Sequence, residues 1–120
     1  MLWVCCICSF QFATGTEPVA VPKDSWASYR NGLQQQGVAT KALPQKLELL
    51  WQHEAGEMVT ATAAIVDGRV YVGTLKGEVL CLDLKDGRRI WTYRSIESED
   101  PEEFAPGFNA AATVTADTVY

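Results

Sequence analysis

Trp51 and Trp91 stand forty residues apart, each preceded by an aliphatic residue, Leu50 or Ile90, and each near the end of a strand-like run. A repeat of that length, with several short strands separated by glycine turns, is the spacing of one blade of a β-propeller. The echo continues downstream. AAIVDGRVY, residues 63–71, is answered by AATVTADTVY at 111–120, with Val119-Tyr120 in the place of Val70-Tyr71. The second offset is 49, so nine additional residues separate the outer strand of one unit from the inner strand of the next.

Strands are expected at 47–53 (LELLWQH), 60–66 (TATAAIV), 69–74 (RVYVGT), 78–83 (EVLCLD) and 89–93 (RIWTY). Asp67-Gly68 lies between two of these runs and is a strong hairpin signal. A type I′ turn needs positive φ at both central residues, which Asp and Gly tolerate best. Lys76-Gly77 and Lys85-Asp86-Gly87 supply the next two turns. Connections this short leave no room for helical crossovers, so the strands form one antiparallel up-and-down sheet. Val70, Tyr71 and Val72, and again Val79 to Leu82, are apolar at consecutive positions. Such strands need cover on both faces, which a two-sheet sandwich with a wet outer side does not give and stacked blades do.

The fold class expected is therefore all-β: a β-propeller of four-stranded antiparallel blades, about one full blade with parts of two neighbours. Breaking off within the second strand of a following unit, the pattern leads us to expect further repeats. Three regions are expected, a leader at 1–15, a flexible N-terminal arm at 16–46 and the repeats at 47–120. Leu2 to Ala13 is uncharged and apolar but shorter than the roughly 20 residues that span a bilayer. It reads as the core of a signal peptide, with Ala13 and Gly15 as the small residues before the cut. The usual upstream positive charge is missing, which suggests a mis-assigned start codon; a buried strand is the competing reading. Cys5, Cys6 and Cys8 would leave with the leader, so Cys81 alone remains and no disulfide framework forms. None of the three is set in a lipid-attachment pattern. Behind the leader, residues 16–24 carry two prolines and no period. Trp26 and Tyr29 then fall on an ordered arm or single helical turn, with a surface aromatic as the alternative for Trp26.

The formal charge is −5, with ten Lys and Arg against fifteen Asp and Glu and no basic stripe, which argues against nucleic acid as a partner. Glu97, Glu99, Asp100, Glu102 and Glu103 concentrate the acid within the inserted residues. A solvated loop explains that run; the alternating ligands and turn glycine of a calcium loop are absent. Together with Phe104 to Phe108 it is expected to be a surface insertion where binding varies. His53, the lone histidine, has no nucleophile or second base placed with it and reads as an ordinary strand residue. No phosphate loop, zinc spacing or nucleophile motif occurs.

Residues 81–91, CLDLKDGRRIW, carry a specific resemblance. They resemble the tryptophan-docking motif of the pyrroloquinoline quinone (PQQ)-like repeat family, A-x-D-x-x-T-G-x-x-x-W. Asp83, Gly87 and Trp91 match in place, while Cys81 and Asp86 stand where Ala and Thr are usual. The earlier WASYRN…QQGVA…LP…LLW is similar to a leader-proximal pattern of exported bacterial propellers of that family. The structural set of the repeat is Trp51, Gly68, Gly77, Asp83, Gly87 and Trp91, and for three of these the resemblance implies a role: Trp91 packs between blades, Gly87 accepts the tight turn and Asp83 ties that turn by hydrogen bonds. Tryptophan suits such a role because it buries a large apolar area, and Asp because it bonds locally in turns.

Two functions follow from the resemblance. One is a non-catalytic, exported scaffold in the periplasm or cell envelope, similar to propellers that assist assembly of outer-membrane β-barrels. It would hold no cofactor and bind other proteins through its loops, meeting a membrane only through a partner and with no sign of homo-oligomerisation. The other is a PQQ-dependent alcohol or sugar dehydrogenase, with quinone and calcium at the propeller axis. That activity needs a Glu, Asn and Asp cluster, basic groups near the quinone and aromatic stacking, none of which is visible in these residues. The adjacent pair Cys5-Cys6 resembles the vicinal disulfide of some such enzymes, but its position in the leader makes it coincidental.

Overall fold

The computed structural model describes residues 21–32, 34–96, 100, 105–115 and 118–120. The expected leader and most of the acidic run, Glu97, Glu99, Glu102 and Glu103, lie outside them. Four strands form a single antiparallel sheet in sequence order: β1 (Ala64–Val66), β2 (Arg69–Gly73), β3 (Glu78–Asp83) and β4 (Arg89–Arg94). Among the described residues there is no helix, so the chain is all-β as expected.

The turns are built from the residues that the backbone demands. Asp67 and Gly68 have φ of 48° and 69°, the two left-handed positions of a type I′ hairpin. That turn sets β1 against β2 with Ala64 opposite Tyr71 and Val66 opposite Arg69. At the next turn Gly77 has φ 77° and its N–H donates to the Thr74 carbonyl at 3.2 Å. In the third hairpin Leu82 faces Arg89 and Cys81 faces Trp91, so Ile90 is an extra residue in β4. A bulge of this kind bends the outer strand and re-aims the side chains beyond it.

The sheet is apolar on both sides and both sides are partly covered. On one face Ala64, Val66, Tyr71 and Cys81 are buried against Val114, with Ala112 and Val119 of the downstream hairpin and Val21 and Ala27 of the arm around them. On the other, Val70, Leu80 and Leu82 are buried against Trp51, Ala55 and Ala63. The downstream hairpin repeats the β1–β2 pattern: Val114 pairs with Val119, and Thr113 and Tyr120 exchange backbone bonds of 3.0 and 2.8 Å. Cover of this kind is worth about 1.5–3 kcal/mol for each large aliphatic side chain fully removed from water.

Two expectations are corrected. Residues 47–53 form no strand, and Leu49 and Leu50 are 81% and 82% exposed. A strand exists only with a hydrogen-bonded neighbour, and no described segment pairs with this one. The run expected at 60–66 shortens to its last three residues for the same reason, since only those face β2. The end of the inserted stretch, a surface segment as expected, is tied down on the sheet. Ala105 is buried, Phe108 N–H donates to the Thr74 carbonyl at 3.0 Å, and Ser95 Oγ donates to the Pro106 carbonyl at 3.2 Å.

A Cβ added at Gly68 meets no atom within 4 Å, so only backbone strain opposes a side chain there. Gly68→Ala in the full-length protein is expected to lose about 1–2 kcal/mol, the left-handed penalty of an L-residue. Chemical denaturation measures this, and an unchanged midpoint would contradict the type I′ assignment.

Candidate functional site

Of the residues expected to carry the repeat motif, Trp51, Asp83 and Gly87 gather around the β3–β4 turn, Gly68 and Gly77 sit in the other two turns, and Trp91 lies on β4. Asp83 closes the β3–β4 turn from both ends of its own residue. Its carbonyl accepts from Gly87 N–H at 2.9 Å, its N–H donates to the Arg88 carbonyl at 2.8 Å, and its Oδ1 accepts from Lys85 N–H at 2.8 Å. Asp86 does the same one step later, its Oδ1 accepting from Arg88 N–H at 2.9 Å. Short acidic side chains mimic a backbone acceptor in this way, which is why they suit turns.

Gly87 has φ 70° and is buried. The reason is Trp51, whose ring lies directly against it: a Cβ built on Gly87 would fall 2.7 Å from Trp51 Cδ2. At the same place Trp51 Nε1 donates to the Leu84 carbonyl at 2.8 Å. A residue 33 positions upstream is thereby fixed to the turn by one hydrogen bond and one flat apolar contact. Leu84 N–H in turn donates to the Gly68 carbonyl at 2.9 Å, so the first and third turns of the sheet are joined.

Trp91 stands differently. It lies on the bulged outer strand, 37% exposed, with its ring centroid 5.9 Å from that of Tyr71 and the planes 53° apart. Together with Val79, Tyr93, Phe108, Val119 and Tyr120 it lines an open apolar groove of about 580 Å³. In this groove Trp91 meets Val119 and Tyr120 of the downstream hairpin.

Cys81 is fully buried between Tyr71 and Trp91 in the sheet register. Burial pushes its thiol pKa up, against the opposing pull of the Arg69 charge and a hydrogen bond with Tyr71. A raised pKa suits an inert packing residue, since the reactive form of cysteine is the thiolate. His53 is half-buried. Among the described residues no three His, Cys, Asp or Glu side chains come together as a metal site. Sequence reasoning did not find the Trp26 pairing with Ile65, described below, because a single long-range bridge has no periodic signal.

No family model matches the chain. It is similar to lupanine 17-hydroxylase [cytochrome c] of a Pseudomonas species, 27% identical over 98% of the chain. It is also similar to outer membrane protein assembly factor BamB of Xanthomonas campestris, 34% identical over 45% of the chain, and to 1-butanol dehydrogenase (cytochrome c) of Thauera butanivorans, 38% identical over 58%. The chain spans only 19%, 14% and 10% of the lengths of these relatives. Among solved structures, BamB from Moraxella catarrhalis overlaps 58% of the chain and 20% of its own, at 25% identity and a TM-score of 0.45. An assembly factor and two oxidoreductases are the two kinds of protein that the motif in residues 81–91 implies, and together they point to a PQQ-like repeat propeller.

Two outcomes follow from the geometry. Gly87→Ala should destabilise the full-length protein by clearly more than Gly68→Ala, although their φ values are almost equal, and a Trp51→Ala background should remove the excess. An additive double-mutant cycle would refute the contact. Because the folded Cys81 thiol titrates above the unfolded one, its contribution is fully present below the unfolded pKa, about 8.5, and is lost as pH rises through the folded value. Above about pH 8.5 the wild type should therefore lose stability faster than Cys81→Ala, as read from paired denaturation curves; parallel curves would contradict it.

Proposed function

We propose that this stretch of a PQQ-like repeat propeller belongs to an exported, non-catalytic protein of the bacterial cell envelope, a ring that binds other proteins through its loops. The motif side chains serve the local turn. Asp83 and Asp86 spend their carboxylates on the amides of Lys85 and Arg88, and Trp51 spends its indole N–H on Leu84. Groups bound in this way hold the unit together, and would do so in a scaffold and in an enzyme alike. What supports the scaffold reading is the similarity to an outer membrane protein assembly factor.

In this reading Trp51 seated on Leu84 and Gly87 is the contact that docks one unit on the next, and Trp91 makes the equivalent contact with the unit that follows. Residues 1–15 direct export, and the arm links the leader to the ring. The partners are proteins; a membrane is approached through them, and neither nucleic acid nor a second copy of the chain is required.

A second reading is favoured by a specific observation: the match to lupanine 17-hydroxylase extends over 98% of the chain, and a second relative is also a cytochrome c-linked dehydrogenase. A PQQ-dependent oxidoreductase would need calcium and quinone ligands. The described residues bring no such donors together, so under this reading those ligands come from elsewhere in the protein.

The two readings part in one experiment. Full-length protein supplied with PQQ and calcium is tested for dye-linked oxidation of alcohols and sugars, while photo-cross-linkers in its loops are tested in envelopes for capture of the outer-membrane barrel-assembly machinery. No dye reduction together with cross-links to that machinery is expected. Turnover would overturn the scaffold.

A further inference from the structure

The inner edge of the sheet carries an element that neither reading above uses. β1 pairs with β2 on one side only, so its other edge would present unpaired N–H and C=O groups. Free edges of this kind recruit foreign strands, and proteins that last tend to cover them. Here the arm does so. Trp26 N–H donates to the Ile65 carbonyl at 2.7 Å, and Ile65 N–H donates back to the Trp26 carbonyl at 2.8 Å, an antiparallel bridge.

The next residue reaches the neighbouring unit. The Ala27 carbonyl accepts from Val114 N–H at 2.8 Å, and Val114 is the residue of the downstream hairpin that pairs with Val119. Two consecutive arm residues therefore bond to the first strand of one unit and the first strand of the next. The side chains agree with the backbone, because Val21 and Ala27 pack on the cluster of Ala64, Val66, Tyr71, Cys81 and Val114 that lies between the two units. Tight turns hold the segment at both ends: Ser25 N–H donates to the Pro22 carbonyl at 3.0 Å and Asn31 N–H to the Ser28 carbonyl at 3.1 Å.

We infer that residues 25–27 are a clasp, a built-in strap that closes the free edge of β1 and ties it to the following unit, so that release of the arm frees both inner strands together. The clasp is independent of what the ring binds. It is a device of the fold that keeps an edge from pairing with another chain and couples two repeats that otherwise touch through side chains.

The test is amide hydrogen exchange on the full-length protein with residues 21–32 replaced by a Gly-Ser segment of equal length. The Ile65 and Val114 amides should both exchange at least about tenfold faster, the order expected for losing one net hydrogen bond each, while Leu80 in β3 keeps its protection. Adding a synthetic peptide of residues 21–32 should restore both. If both amides keep their wild-type rates, or only one of them responds, the clasp is overturned. Should the replacement loosen Leu80 as well, Trp26→Pro decides. It removes the N–H that donates to the Ile65 carbonyl, together with the indole, and by breaking one half of the bridge must speed exchange at Ile65, whose own N–H meets the carbonyl of residue 26, and at Val114, with Leu80 unchanged; protection at wild-type levels would overturn the clasp.

Discussion

Everything in this structure depends on β2 and β3 being apolar on two faces. A strand alternating apolar and polar residues needs one partner layer; Val70-Tyr71-Val72 and Val79 to Leu82 need two. The hydrogen bonds of the sheet set which residue lies opposite which, but they do not supply that cover. Ordering each residue costs about 1–2 kcal/mol, and four strands of three to six residues cannot offset this from their own contacts. Stability must come from what lies on either side. One face turns to Trp51, Ala55 and Ala63, the other to Ala112, Val114 and Val119, and the unit becomes a layer between layers.

The parts of this fold that were legible in the sequence are those whose cause is local. β3 occupies the expected residues 78–83, and β2 and β4 differ from expectation by one residue at an end, because Asp67-Gly68, Lys76-Gly77 and Lys85-Asp86-Gly87 carry their turn geometry within two or three positions. Residues 47–53 show the limit. Their leucines have the composition of a strand, yet a strand is a relation between two segments, and no second segment is in place among the described residues. The close packing of Ala105 to Phe108 on the Thr74 turn and the pairing of Trp26 with Ile65 were equally out of reach, since both join residues over thirty positions apart without a repeat to announce them.

The candidate site was legible in a different sense. The spacing of Asp83, Gly87 and Trp91 identifies a motif, and the geometry tells what its members do locally, but in the reading proposed above the motif is a device for stacking. Stacking is common to every protein built from such units, whatever it binds. An assembly factor and two oxidoreductases can therefore resemble the same residues to similar degrees. Discrimination has to come from side chains that the stacking does not use, at the ends of the strands and in the connections between units.

The bonds that hold one unit to its neighbours are of two physical kinds, and the difference matters for how a ring of them behaves. Trp51 on Gly87 is mostly surface contact with one hydrogen bond, tolerant of small sliding but intolerant of any added atom at the glycine. Trp26 and Ala27 act through the backbone, where register is all or none, because a slip of one residue breaks every bond and turns each side chain to the opposite face. A propeller held only by side-chain contacts could let its blades shift past one another. Backbone bonds at the free edge of β1, where one arm segment meets two successive first strands, set the register of one unit against the next.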